Sequence, residues 1–321
     1  MSPSAHEIAR FRADFERALR GAPQGAVALA VSGGPDSMAM LELAAAAYPD
    51  RVISATVDHG LRRESAEEAR MVASACATLG VPHATLPIVA PRDGNLHAWA
   101  RRERYALLES WAVEADAVAL CTAHHADDQA ETLLMRAARA AGLAGLAGVR
   151  TRNEAGLPII RPLLSWRRAE LRRIAEGSGL PFVDDPSNDD PRFDRARFRQ
   201  WLAQAPWLDP RLVARSAEHL AEAEADLQAI SDWVWSLRTL PAPEGEIQID
   251  VADLPRGLRR YLARKAIETV SGQKIPDAIE SLLDTLDRGK GGTRAGVQAS
   301  AKSGVWRFRR APPRRPRQSL R

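Results

Sequence analysis

The chain has 321 residues, 45% hydrophobic and 27% charged, with a net charge of +4, which is material for two soluble globular domains. No apolar run reaches the roughly 18 residues a membrane span needs, and residues 1–20 are charged and amphipathic, without the apolar core of a secretory signal. Cys76 and Cys121, the two cysteines, are too far apart in sequence for a redox CxxC pair, a disulfide framework or a zinc site, so they read as small buried residues in a reducing, cytoplasmic setting.

Residues 6–20 place Ile8, Phe11, Phe15, Ala18 and Leu19 at helical spacing, and Gly21 and Pro23 end that helix. Residues 26–31 (AVALAV) read as a buried strand, 32–37 as a glycine-containing turn and 38–47 as an apolar helix. Strands are then expected at 51–57, 83–89 and 117–122, alternating with helices at 64–79, 96–115 and 127–140. One more strand and helix follow at 159–164 and 166–177, then a polar loop over 183–194. Such alternation predicts an α/β fold, a parallel sheet with helices on both faces. Ligands bind such sheets at the carboxyl ends of the strands, where three polar clusters stand, at 32–37, 58–62 and 124–128.

From about residue 214 the pattern changes to helices at 214–240, 258–271 and 278–287, with one short strand at 247–251 and a glycine-rich stretch at 289–296. This predicts a catalytic domain over 1–210, a smaller, mainly helical domain over 211–310 and a basic, proline-rich tail over 311–321. Between residues 301 and 321 stand Lys302, Arg307, Arg309, Arg310, Arg314, Arg315, Arg317 and Arg321, with no acidic residue. Such an end suits a polyanion. It also suits a solvated, disordered segment, which Pro312, Pro313 and Pro316 favour.

Ser32-Gly33-Gly34-Pro35-Asp36-Ser37 lies between an apolar strand and an apolar helix. Glycines allow close backbone approach, and successive N–H groups at a helix start form an anion nest. Asp36 would repel phosphate there unless a cation such as Mg²⁺ intervened. The loop is neither GxxxxGK[ST] nor GxGxxG, and an ordinary strand-to-helix turn is the plain alternative. In the string 122–136, TAHHADDQAETLLMR, two carboxylates, Asp128 and Glu131, share a helix face at i,i+3. They suit an amine or a metal, whereas Asp127 and Asp128 also suit the positive end of their own helix.

The hexapeptide resembles the pyrophosphate loop of the N-type ATP pyrophosphatases, the PP-loop enzymes with an adenine nucleotide alpha hydrolase-like fold. Residues 122–132 resemble the THHxDDQxET motif of the tRNA(Ile)-lysidine synthetase family. Val57-Asp58-His59-Gly60-Leu61-Arg62 resembles its VDHGLR, 100–105 its ARxxRY helix, Arg161-Pro162-Leu163-Leu164 its RPLL, and Asp184-Asp185-Pro186-Ser187-Asn188 with Arg195 its EDPSN…R loop. Three positions depart from the pattern: Asp184 replaces the usual Glu, Ala196 an Asn and His97 a frequent Glu. The likeness is dense over 26–199, and the length is that of the family's short form.

The resemblance implies that ATP is held by Ser32, Gly33, Gly34, Pro35, Asp36, Ser37, Asp58 and His59, with Mg²⁺ at Asp36. It implies that Asp128 and Glu131 hold free L-lysine, that His124 lies by the ATP, and that Arg101 and Arg195 also serve catalysis. The implied reaction adenylates C2 of the wobble cytidine in the CAU anticodon of isoleucine tRNA and then replaces AMP with lysine. A homodimer is implied as well, and the helical domain over 211–310, with the basic tail, is expected to bind the tRNA. A tRNA thiolase would share the loop but should carry paired cysteines, an amide-forming synthetase would share the loop alone, and a plain RNA-binding module would not need carboxylates beside an anion site.

Overall fold

The structure, a computed structural model, describes residues 2–60, 65–89, 96–153, 156–184, 192, 194–275 and 279–312. The chain divides into two compact units, Met1–Ala221 and Glu222–Arg321.

In the first unit the elements run α1 (Ala5–Leu19), β1 (Val27–Ala30), α2 (Pro35–Ala47), β2 (Val52–Asp58), α3 (Ser65–Thr78), β3 (His83–Pro87), α4 (Leu96–Glu114), β4 (Ala119–Cys121), α5 (Ala126–Ala137), α6 (Leu143–Leu146), β5 (Arg152–Asn153), β6 (Ile159–Ile160), α7 (Arg168–Ser178) and α8 (Asp194–Ala203). Helix α9 (Pro210–Arg238) begins here, and the division between the units falls within it. The sheet order is β3-β2-β1-β4-β6-β5. Five strands are parallel, with Val27 of β1 beside Val52 of β2 and Ala119 of β4. Only the two-residue edge strand β5 is antiparallel. After β1 the chain first builds outward through β2 and β3, then returns to β1's other side with β4. The switch point therefore lies between the ends of β1 and β4, where such sheets bind ligands.

Alternation along each strand feeds two cores. Val27 and Leu29 join Phe11 and Phe15 of α1 and Met38, Met40, Leu41 and Leu43 of α2 on one face. Ala28, Leu120 and Ile159 meet Leu108 and Ala112 of α4 on the other. Helix α2 is buried nearly all round, between α1, α7 and the sheet, which suits a helix apolar on every side. Each fully buried Leu, Met or Phe contributes about 1.5–3 kcal/mol.

The second unit holds the expected helices, α10 (Arg256–Ser271) and α11 (Glu280–Asp287), and also a sheet that periodicity showed only in part. Strands β7 (Thr239–Leu240), β8 (Glu246–Asp250), β9 (Gly292–Arg294), β10 (Val297–Lys302) and β11 (Val305–Arg310) form an antiparallel sheet in the order β7-β8-β11-β10-β9. Only the strand at 247–251 was expected. Ile249, Trp306 and Phe308 pack with Leu262, Ile267 and Leu283 in this unit's core. The basic end thus needs correction as a solvated segment: Lys302, Arg307, Arg309 and Arg310 lie on strands β10 and β11, because the aromatic residues between them are core. Pro313, Arg314, Arg315, Pro316, Arg317 and Arg321 lie outside the described residues. No helix among the described residues is long and apolar enough to cross a membrane.

Candidate active site

The loop between β1 and α2 is shaped by its glycines and serines. Gly33 has φ +84°, and a Cβ there would meet Met71 Cε at 3.2 Å and Val72 Cγ2 at 3.3 Å, so glycine meets both a left-handed backbone and a tight space. Gly34 N-caps α2 without a side-chain hydrogen bond and Pro35 opens the helix, which leaves first-turn N–H groups for an outside acceptor. Ser37 Oγ donates to Gly34 O (2.9 Å) and accepts the Ser32 N–H (3.1 Å), with Ser32 Oγ a further 3.2 Å away. The two hydroxyls therefore close the loop on itself. Asp36, in the first turn, keeps Oδ1 buried and without a hydrogen-bond partner.

Across the switch point, α5 begins beside α2. His125 is its N-cap and is 1% exposed. Its Nδ1 accepts the Asp128 N–H (3.3 Å), while Asp128 Oδ2 accepts the His125 N–H (3.1 Å). Its Nε2 lies 3.4 Å from Asp36 Oδ2 and 3.5 Å from Asp128 Oδ2. Burial opposes charge on this ring, but the carboxylates of Asp128 and Asp36 outweigh it and draw its pKa upward. The N–H donated to Nδ1 decides the neutral tautomer, with the proton on Nε2 facing both carboxylates. Asp128 is drawn up by burial but held at about 2 by His125, Arg195, His124 and Arg168. His124 bonds Thr122 Oγ1 through Nδ1 (3.0 Å). Burial lowers its pKa to about 4, with Arg161, Arg101 and Arg195 pushing the same way against Asp128. His124 is therefore neutral at physiological pH.

Glu131 differs from expectation. It is 1% exposed and its carboxylate is ringed by guanidinium groups: Arg168 Nη2 at 2.8 Å, Arg195 Nε at 2.9 Å and Arg199 Nε at 3.0 Å. Arg195 also reaches Asp128 Oδ1 at 3.5 Å and so bridges the two carboxylates. Asp128 keeps a partly exposed carboxylate (16%), whereas Glu131 (1%) gathers arginines. Asp127 serves α7 rather than its own helix. It accepts the Arg168 N–H at α7's first turn (2.8 Å) and pairs with Arg167 (3.2 Å), a carboxylate on a helix N-terminus.

Arg167, Arg168 and Arg199 were missed in the sequence. A hint lay in the end of β6, since every carboxyl end in a parallel sheet faces the ligand side. Trp166, 1% exposed, fixes that approach: its carbonyl accepts the Ala126 N–H (2.8 Å) and its Nε1 donates to Asp14 (3.0 Å). The starts of α5 and α7 are thereby held together. A cleft of about 420 Å³ opens there, lined by Glu131, Arg168, Arg199, Leu202, Pro206 and Leu208 among others.

The remaining expected residues lie around this centre. Asp58 ends β2 and accepts from Gly60 N–H (2.9 Å) and Ser65 Oγ (2.6 Å), which with the His59 charge hold it below the usual carboxylate range. Arg101 stacks over Tyr105 at 5.1 Å, and its charge reaches His124. Arg136 is structural, donating to the carbonyls of Gly145 and Gly148. Asp184 pairs with Arg172 at 2.8 and 2.9 Å, and Ala196 is buried in α8. Leu61, Arg62, Asp185, Pro186, Ser187 and Asn188 lie outside the described residues, as does the side chain of His97. Cys76 and Cys121 are buried and free, and burial pushes both thiols up, which makes them poor nucleophiles.

Among the described residues no group of three or more His, Cys, Asp and Glu side chains forms a metal cage. Mg²⁺ needs none, because it commonly binds one or two carboxylates together with substrate phosphates. The unpartnered Asp36 oxygen beside the open N–H groups of α2 fits that use. The arrangement can bind an anion at the loop and a cation at Asp128, a few ångströms apart and bridged by one imidazole.

Residues 5–205 match the PP-loop domain family. The chain is 45% identical over 312 residues to the tRNA(Ile)-lysidine synthase of Novosphingobium aromaticivorans, covering 95% of this chain and 94% of that one. It is 40% identical to the tRNA(Ile)-lysidine synthase of Zymomonas mobilis, covering 96% and 95%. Among solved structures, the U34-tRNA thiolase NcsA from Methanococcus maripaludis matches with a TM-score of 0.56 at 18% identity, over 68% of this chain and 80% of that one. At that identity the likeness is one of fold.

Proposed function

The chain belongs to the tRNA(Ile)-lysidine synthase family, and we propose that it ligates free lysine to C2 of the wobble cytidine in the CAU anticodon of isoleucine tRNA, converting ATP to AMP and pyrophosphate. The observation that carries this reading is the meeting of Asp36 and Asp128 on the His125 imidazole, at 3.4 and 3.5 Å. It puts an anion nest and an amine-binding carboxylate within one reacting distance.

ATP lies with its phosphates on the Ser32–Ser37 loop and the first turn of α2, where open N–H groups meet the growing negative charge. Mg²⁺ held by Asp36 would neutralise phosphate charge there. The cytidine O2 attacks the α-phosphorus, the bond to the β-phosphate oxygen breaks, and pyrophosphate leaves. Neutral His124 and Arg101 line this region, with Asp58 and His59 at the neighbouring strand end. The lysine ε-amine, drawn to Asp128, then attacks C2, and the C2–O bond breaks to release AMP. The amine must shed protons in this step.

Lysine recognition needs both signs of charge and an apolar wall, since the free amino acid is a zwitterion with a butyl stem. The cleft beside Glu131 supplies Arg168 and Arg199 for the carboxylate and Leu202, Pro206 and Leu208 for the stem. Glu131 takes part by placing the arginines and Arg195 by linking them to Asp128. Action on tRNA places the protein in the cytoplasm. A homodimer belongs to the same reading and is checked by sedimentation.

The test is incubation with ATP, Mg²⁺, labelled lysine and an isoleucine tRNA transcript carrying CAU. Label in precipitated RNA that depends on ATP and on that tRNA, and that disappears in Asp36→Ala and Asp128→Ala, is expected. ATP cleavage without label would keep PP-loop chemistry and sink lysine as the substrate.

A further inference from the structure

Arg161 follows β6 directly and is 8% exposed. Its Nη1 donates to the Arg150 carbonyl (2.6 Å), but its Nε is buried without a hydrogen-bond partner. Burial lowers its pKa, Tyr105 opposes that and the charge of Arg101 adds to it. Among the described residues no carboxylate pairs with it. A guanidinium taken out of water without a counter-charge is costly, so its surroundings call for an anion that the chain does not supply.

Arg161 lines a cavity of about 280 Å³ that α1, the 147–151 segment and the start of α9 enclose within the first unit. This cavity shares no residue with the cleft beside Glu131. It meets α5 at Gln129, on the side of that helix turned from Asp128 and Glu131. Several of its polar groups are already engaged. Gln129 is closed on the backbone N–H and carbonyl of Val149 (2.7 and 2.5 Å). Asp14 accepts from Arg17, Ser165 and Trp166, and Arg211 pairs with Glu170 at 2.8 Å. Among the described residues three lining cations are left without a carboxylate: buried Arg161, and Arg150 and Arg215, both exposed. Against them stands one unpaired carboxylate, that of exposed Glu218. The walls between are apolar, from Val149, Leu164 and Ala214. The volume falls just below the roughly 300–1,000 Å³ of pockets for drug-sized ligands, which suits a small metabolite.

We propose that this cavity binds a small organic carboxylate, its oxygens on the guanidinium groups of Arg161, Arg150 and Arg215 and its apolar body against Val149, Leu164 and Ala214. Arginine suits a carboxylate because its planar fork donates parallel hydrogen bonds to both oxygens. The apolar walls favour a carbon chain over an inorganic anion, which would leave them facing water. The site is separate from those given above to ATP and lysine and does not rest on them.

The experiment titrates the full chain in a calorimeter with sodium acetate, sodium hexanoate and sodium phosphate at constant ionic strength. Hexanoate is expected to bind at least about tenfold more tightly than acetate, because each further buried methylene adds affinity. Phosphate is expected to bind more weakly than hexanoate. The double variant Arg150→Ala, Arg215→Ala changes two exposed positions, and thermal melting reports whether it folds. It is expected to weaken hexanoate binding about tenfold, whereas Arg150→Lys, Arg215→Lys loses less. The cleft beside Glu131 also offers arginine and apolar side chains, so Arg199→Ala is the control, expected to bind hexanoate as wild type does. Absence of hexanoate binding, equal affinity for acetate, or phosphate bound as tightly as hexanoate overturns the proposal. So does full hexanoate affinity in the folded alanine pair, and its loss in Arg199→Ala alone assigns hexanoate to the cleft instead.

Discussion

His125 Nε2 and Asp36 Oδ2 lie 3.4 Å apart, joining the first turn of α5 to the first turn of α2 across the sheet's switch point. The imidazole is buried to 1% exposure and also touches Asp128. It acts as a spacer that sets the separation of two carboxylates which would otherwise repel.

Replacing it tests that role. His125→Asn keeps an acceptor for the Asp128 N–H and a donor toward the carboxylates, so its stability should stay near wild type. His125→Ala should lose about 1 kcal/mol with the cap, read by urea denaturation. Lysine incorporation should fall at least about a hundredfold in the alanine variant and less in the asparagine one. Equal activity in both would remove His125 from the site's geometry.

Asp128→Asn should separate the two chemical steps. The nucleotide loop is untouched, so tRNA-dependent release of AMP and pyrophosphate should continue at a reduced rate. Lysine incorporation should drop by more than about a hundredfold with a raised KM for lysine. A variant that loses both steps equally would place Asp128 on the nucleotide instead.

Glu131→Gln leaves Arg168, Arg195 and Arg199 without their common partner. Removing one side of a buried ion pair costs about 3–5 kcal/mol, but these guanidinium groups are 23–43% exposed, which discounts the figure to about 2 kcal/mol. Chemical denaturation should show this loss. Wild-type stability with a raised KM for lysine would restore Glu131 as a direct lysine ligand.

The pH dependence of stability carries His124's signature. Its pKa falls from 6.5 unfolded to about 4 folded. Between those values the unfolded chain binds a proton that the folded chain refuses. Its contribution is therefore whole above pH 6.5 and is lost as the pH falls toward 4. His124→Asn should flatten the melting profile in that window relative to wild type. His125, with a raised pKa, acts in the opposite sense: its contribution is whole below pH 6.5 and is lost as the pH rises above it. An identical profile in the variant would mean that His124 is not held neutral by the fold.

Truncation after Ser300 should unfold the second unit rather than trim a tail. It removes β11, whose Trp306 and Phe308 are 3% and 0% exposed, and loss of one such aromatic costs about 3–5 kcal/mol. Limited proteolysis should then degrade residues beyond about Glu222 while the first unit survives. A second unit that stays resistant would show the strand to be dispensable.

Much of this was legible along the chain. The 26–31 run and the apolar 38–47 segment bracketed the nucleotide loop, because buried strands and helices have local periods. The alternation Val-Trp-Arg-Phe-Arg at 305–309 was an equally local strand signal, masked by the prolines and arginines that follow. Arg168 and Arg199 had no such signal: each became part of the site only by approaching Glu131 from another helix.

The order of strands and helices along the chain and the cap made by His125 were determined by the sequence itself, since each depends on neighbours within a few residues. Which carboxylate stays open and which is enclosed was decided only in the tertiary structure. Asp128 and Glu131 are chemically alike and one turn apart, and the difference between them comes from α7 and α8, whose arginines reach one carboxylate fully and the other only at its edge. The exposed place of Arg307 and Arg309 was settled in the same way, by helices that cover just one face of their sheet.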